Sequence, residues 1–158
     1  MEPPLERPRA VSNESMNTRA RMRGAVIGCG NVSRHHLLGW AKVPGASIEA
    51  LCELDPTRLA AARTSVPADV RFRDAAAMFA AVPLDFVEIC TGPETHLELV
   101  ALAASHRMHV LCQKPASLVR EDLFEMIEAC RAAGVRLMIH ENWRFRPGEK
   151  PGGYRRIF

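Results

Sequence analysis

Between residues 24 and 140 short apolar runs alternate with longer segments whose apolar positions recur at helical spacing. Runs at 24–28 (GAVIG), 47–53 (SIEALCE), 69–72 (DVRF), 84–90 (LDFVEIC), 108–112 (MHVLC) and 135–140 (VRLMIH) have the length and flanks of buried strands. Segments at 31–43, 56–65, 75–81, 93–106 and 117–134 lie between them and are predicted helices. Boundary signals agree. Pro44-Gly45 stops the first helix, Pro56 sits in a first turn where its missing N–H costs nothing, Asp74 stands at an N-cap, and Gly134 at a C-cap. Strands separated by helical segments of ten or more residues imply parallel βαβ units with right-handed crossovers. The expected class is α/β, a doubly wound parallel sheet with helices on both faces, over residues 23–141. No internal repeat is evident. After His140 the pattern fails, and residues 142–158 read as the start of a connection.

Residues 1–22 mix prolines, charges and polar residues with no apolar core, so they read as a disordered leader and not as a secretory signal. Met16 and Met22 are alternative starts. Hydrophobic residues make up 47% of the 158 and charged residues 25%, which suits one soluble domain with a real core. The net charge is only +3 and forms no basic stripe, which argues against nucleic acid as a partner. No apolar run approaches the ~20 residues of a membrane helix. Five cysteines, an odd number with no CxxC, are expected as reduced, buried thiols of a cytoplasmic protein.

The first strand–helix turn reads VIGCGNVSRHH. Gly28, Gly30 and Ser33 fit G-x-G-x-x-small: Gly28 for a tight turn, Gly30 to leave room for a pyrophosphate, Ser33 for close helix–strand packing. Asn31 and Val32 complete the turn, and the free N–H groups of the following helix favour phosphate there. An acidic residue about twenty positions on binds adenosine ribose hydroxyls in such folds, and Glu53 stands there at the end of the second strand. Leu54 follows it in place of an arginine that would welcome a 2′-phosphate, which favours NAD over NADP. A methyltransferase also uses a glycine-rich first turn and a strand-end acid, so these two features alone leave both readings open.

The stretch ICTGPETHLELVALAASHRMHVLCQKPASL separates them. It resembles the N-terminal Rossmann domain of the glucose–fructose oxidoreductase / inositol dehydrogenase / MocA-like (Gfo/Idh/MocA) oxidoreductases. That family carries a strand ending in Thr-Pro, a His five residues after the Thr, and then His-Val-x-x-Glu-Lys-Pro. Thr91, His96, His109, Lys114 and Pro115 fall in register with it, and ENWRFRP at 141–147 resembles its later Asn-x-Arg segment. The resemblance implies NAD(P) bound at Gly28, Gly30, Asn31, Val32, Glu53, Thr91, His96, Gln113 and Lys114. It implies Lys114 as the catalytic residue beside nicotinamide and substrate, binding the reacting hydroxyl or carbonyl and helping to move its proton. Pro115, Asn142 and Arg144 would flank the substrate. A lysine at a strand end, partly desolvated near a cationic nicotinamide, would suit proton transfer.

Two departures from the family pattern matter. Gln113 replaces the motif's Glu, which keeps hydrogen bonds and loses a charge, and Gly92-Pro93 replaces the usual Pro-Asn. His96 is expected to fix its loop and not to do chemistry. Trp143, Arg144 and Phe145 would line a hinge near the substrate or pack. Adjacent His35 and His36 do not share a helix face, so no metal site is expected.

The resemblance also implies a C-terminal α/β domain that supplies most substrate contacts and an Asp-x-x-x-His pair, and no residue of this sequence is assigned to that pair. The expectation is an NAD(P)-binding domain of an oxidoreductase acting on a sugar-like or polyol substrate, truncated and weakly active or inactive alone. The alternatives are a standalone NAD-binding module that complements a partner chain, and a short enzyme that builds its cleft between copies.

Overall fold

The computed structural model describes residues 21–141, so the expectations for residues 1–20 and for Asn142, Trp143, Arg144 and Phe145 lie outside the described residues. Six strands form: β1 (Met22–Ile27), β2 (Ala46–Cys52), β3 (Arg71–Phe72), β4 (Phe86–Ile89), β5 (His109–Cys112) and β6 (Leu137–Ile139). All pairs are parallel, in the order β3-β2-β1-β4-β5-β6. Five helices connect them: α1 (Ser33–Trp40), α2 (Pro56–Ala61), α3 (Ala75–Ala81), α4 (His96–Ser105) and α5 (Arg120–Ala133). This is the expected Rossmann-type sheet, with the order reversing between β1 and β4, where ligands of such sheets bind.

Alternation along the strands divides the core between two faces. On one face Ala25, Ile27, Val87, Ile89 and Val110 meet Met78, Val100, Ala103, Met126 and Cys130 from α3, α4 and α5. On the other, Val26 and Leu51 meet Leu37 of α1 and Leu59 of α2. Each large side chain fully buried here contributes roughly 1.5–3 kcal/mol. Glu88 interrupts the second face: it is 1% exposed in the middle of β4.

Element ends differ from the sequence pattern for local reasons. Helix α2 stops at Ala61, short of residue 65, and the Arg71 guanidinium donates to the Leu59 carbonyl in its last turn and to the Val66 carbonyl beyond its end. The segment 93–106 opens as a 3-10 turn, Pro93–Thr95, before α4 begins. Helix α5 starts at Arg120, later than residue 117, because the Ser117 hydroxyl bonds the Val119 backbone and holds it extended. Residues Ala68–Val70 form a 3-10 turn, which leaves β3 two residues long. Strand β1 begins at Met22, inside the span read as a leader, where its N–H donates to the Gly45 carbonyl.

Candidate functional site

The glycine turn after β1 lies against the end of β4. Gly28 has φ +93°, and a Cβ there would sit 2.9 Å from the Cys90 carbonyl group. Both the backbone and the space demand glycine. Gly30 differs: a Cβ there would meet nothing within 4 Å, so the space its missing side chain leaves is open. Ser33 is 2% exposed, and its hydroxyl donates to the Gly30 carbonyl at 2.8 Å. Serine thus meets the need for a small residue and ties the loop as well. Asn31 and Val32 are exposed at the mouth of α1.

Glu53 follows β2 and turns its carboxylate back to this loop. Its Oε2 accepts from the Cys29 N–H at 2.8 Å and its Oε1 from the Asp55 N–H at 3.0 Å. Each oxygen keeps a lone pair for a ribose hydroxyl. The open space at Gly30, the start of α1 and the pinned carboxylate fit a dinucleotide: pyrophosphate at the turn, ribose at Glu53.

Across the sheet, Thr91 and the Lys114–Pro115 turn end β4 and β5. His96 is fully buried, with Nε2 3.2 Å from the Thr91 carbonyl oxygen and Nδ1 3.0 Å from that of Ala116. A neutral ring has one N–H, so it donates to one of these two carbonyl oxygens and packs between the two loops. Thr95 Oγ1 lies 2.7 Å from Thr91 Oγ1 and 2.9 Å from the Gly92 carbonyl oxygen, which shapes the Gly92-Pro93 loop. The Lys114–Pro115 peptide is cis. Lys114 and Pro115 are both exposed. The expected partial desolvation of Lys114 is thus not supplied by residues 21–141, because no described element covers the end of β5.

All five cysteines are free, and burial raises each thiol. Cys29, beside the glycine turn, is pushed to about 11 by burial and then by Glu53, which leaves little thiolate for chemistry.

One group of residues was not anticipated. His36 Nδ1 lies 2.5 Å from Glu88 Oε1, Trp40 Nε1 donates to Glu88 Oε2 at 2.6 Å, and His140 Nδ1 lies 3.4 Å from Oε1. Gln113 Nε2 approaches His36 Nε2 at 3.3 Å. Desolvation, then His36, depresses His140 below the usual histidine range, while Glu88 acts the other way. His35 is exposed, and His36 joins partners distant in sequence. The available signal was the Glu in FVEI, since a carboxylate at a core position of a central strand requires partners. A cavity of about 380 Å³ opens beside this group, lined in part by Gly39, Leu111 and His140, and does not coincide with the glycine turn.

Comparison with known proteins decides between the readings of the glycine turn. The model of the oxidoreductase family with NAD-binding Rossmann fold, Gfo/Idh/MocA, matches residues 22–141. The chain belongs to this family. Among relatives, a D-apiose dehydrogenase from Paraburkholderia graminis is 46% identical over 137 residues, 87% of this chain and 36% of that protein. A myo-inositol 2-dehydrogenase from Thermotoga maritima is 31% identical over 124 residues, 78% of this chain and 37% of that protein. The chain thus spans little more than a third of the length of these relatives. Among solved structures, an oxidoreductase from Agrobacterium radiobacter in complex with NAD+, L-tartaric acid and magnesium superposes with TM-score 0.77 at 38% identity, covering 80% of this chain and 37% of that one. The WlbA dehydrogenase from Bordetella pertussis, in complex with NADH and UDP-GlcNAcA, gives 0.76 at 28% identity, covering 81% and 37%. The family's NAD-binding fold is the one built here, and the methyltransferase alternative falls away. No described helix is long and apolar enough to cross a membrane.

Proposed function

We propose that this chain is the cofactor-binding half of an NAD-dependent dehydrogenase of small sugars or polyols, with Lys114 meeting the reacting hydroxyl. The observation that carries the reading is the placement of Lys114 at the end of β5, its turn packed through His96 against the Thr91 loop that abuts the glycine turn. Bound NAD+ would supply the hydride acceptor. The chain's own part is to seat the pyrophosphate at Gly30 and α1, hold the ribose at Glu53, and present the Lys114 amine to the substrate oxygen. Leu54 after Glu53 favours NAD over NADP, since it brings no cation to a 2′-phosphate. The relatives that oxidise apiose and inositol make a five- or six-carbon polyol or aldose the substrate class to try first.

The exposure of Lys114 supports a second reading, NAD binding without turnover by this chain. Proton transfer and hydride transfer both benefit from a site that excludes water, and residues 21–141 leave the lysine open. One experiment separates the readings. Purified chain is titrated with NAD+ by calorimetry and then assayed for NADH formation with D-apiose and myo-inositol. Turnover that disappears in Lys114→Ala supports the dehydrogenase reading. NAD+ binding with no turnover supports the binding-module reading. Turnover in Lys114→Ala equal to the wild type sinks the role given to this lysine.

A further inference from the structure

Glu88, His36 and Gln113 form a chain of hydrogen bonds that ends on the backbone of Lys114, and the donors and acceptors along it are fixed from both ends. At one end the Lys114 N–H, a donor, meets Gln113 Oε1 at 2.7 Å. The Gln113 amide therefore turns its NH₂ toward His36, 3.3 Å from Nε2. That contact needs a lone pair on Nε2, so the single proton of a neutral ring sits on Nδ1, the atom facing Glu88 Oε1. At the other end the indole of Trp40, which can only donate, occupies Glu88 Oε2 at 2.6 Å. Each link leaves its neighbour one orientation.

We propose that Glu88 is a positioning residue: through His36 and Gln113 it sets the orientation of the Lys114 turn. The proposal deepens the reading of Lys114 as the residue that meets substrate and rests on it for its functional meaning. It also accounts for glutamine at 113. A carboxylate there would have no donor to offer His36 Nε2 while still holding the Lys114 N–H, so the imidazole would need a second proton. The same geometry weighs against reading His36, Glu88 and His140 as a cation site, although their ligand atoms lie within 4.8 Å of one another. A metal bound through His36 Nδ1 would need that atom's lone pair, and in this arrangement Nδ1 carries the proton. At 2.5 Å, His36 Nδ1 and Glu88 Oε1 are also at hydrogen-bonding separation, closer than two ligands of one ion about 2.0–2.2 Å from each.

The decisive variant is Glu88→Gln, which keeps the shape. Trp40 would claim the amide oxygen, leaving the NH₂ to face His36 Nδ1, with His140 Nδ1, unpartnered among the described residues, beside it. His36 would then move its proton to Nε2, Gln113 would flip its amide to accept it, and the Lys114 N–H would lose its acceptor. Two readouts on the purified chain need no activity: the ¹⁵N tautomer signature of His36, and hydrogen exchange at the Lys114 amide. The wild type is expected to show the Nδ1–H form. Glu88→Gln is expected to show the Nε2–H form and a Lys114 amide that exchanges about fivefold faster, the factor for one hydrogen bond of typical net strength. The double variant Trp40→Phe/Glu88→Gln frees the amide at 88 to turn its oxygen to His36, and is expected to restore both signals. An Nε2–H tautomer in the wild type, a Lys114 amide indifferent to Glu88→Gln, failure of the double variant to rescue, or stoichiometric Zn²⁺ binding lost in His36→Ala would each overturn the proposal. Full turnover in Lys114→Ala would instead overturn the functional reading and leave the hydrogen-bond chain standing.

Discussion

Gly28 and Gly30 belong to one motif and meet different demands. Gly28 has a left-handed φ and faces Cys90 across a space no Cβ fits. Gly28→Ala should therefore lower stability by about 2 kcal/mol, seen as a lower denaturation midpoint with or without cofactor. Gly30 has open space around it, so Gly30→Ala should leave that midpoint unchanged. If the pyrophosphate sits there as proposed, the substitution should weaken NAD+ binding by roughly tenfold, because its methyl would enter that space. Calorimetric titration beside a urea melt distinguishes the two. His140 offers a pH test. Its folded value is depressed below the ordinary 6.5, so the unfolded chain takes up a proton that the folded chain does not. The stability it contributes is present above 6.5 and is lost as pH falls through that value toward the folded one. The fall in melting temperature on acidification below 6.5 should be shallower in His140→Phe, which removes the titrating group. The glycine motif was legible because each position answers a local need. His36 and His140 were not, because their meaning depends on Glu88, far from both in sequence.

Elements were legible where a strong local signal fixes them, and their ends were misread where a side-chain bond or a 3-10 turn interrupts the pattern. Helix α3 appears with the expected bounds, and Asp74 accepts from the Ala77 N–H as an N-cap should. Helix α5 ends at Gly134 with φ +71°, the left-handed cap. Gly134→Ala should destabilise the fold by about 1–2 kcal/mol, measurable by urea denaturation, since a Cβ there meets no clash and only the backbone conformation opposes it. The α2 end, by contrast, is accompanied by bonds from the Arg71 guanidinium to the Leu59 and Val66 carbonyls, which no pattern within residues 56–65 shows. The short β3 follows from the same region, where a 3-10 turn uses up residues that read as strand.

For the whole molecule, the order β3-β2-β1-β4-β5-β6 puts the glycine turn, Glu53, Thr91 and Lys114 at the same end of one sheet. A dinucleotide lying across that end would contact the ends of several strands at once, so its binding should stabilise the folded chain as a unit. At a hundredfold excess over the dissociation constant the gain is about 2.7 kcal/mol. That corresponds to a rise in melting temperature of roughly 5–10 °C, which thermal denaturation with and without NAD+ will show. The sequence by itself determined the alternation of strands and helices, the parallel sheet, the glycine turn and the position of Lys114 after β5. Each of these is written in hydrophobic period or in a motif whose residues are neighbours along the chain. Only the tertiary structure decided that His36, Glu88, Gln113, Trp40 and His140 meet, that His96 packs between two loops, and that Lys114 stands exposed. Those facts depend on which side chains the sheet brings within hydrogen-bond reach, and a buried carboxylate selects its partners by distance in space.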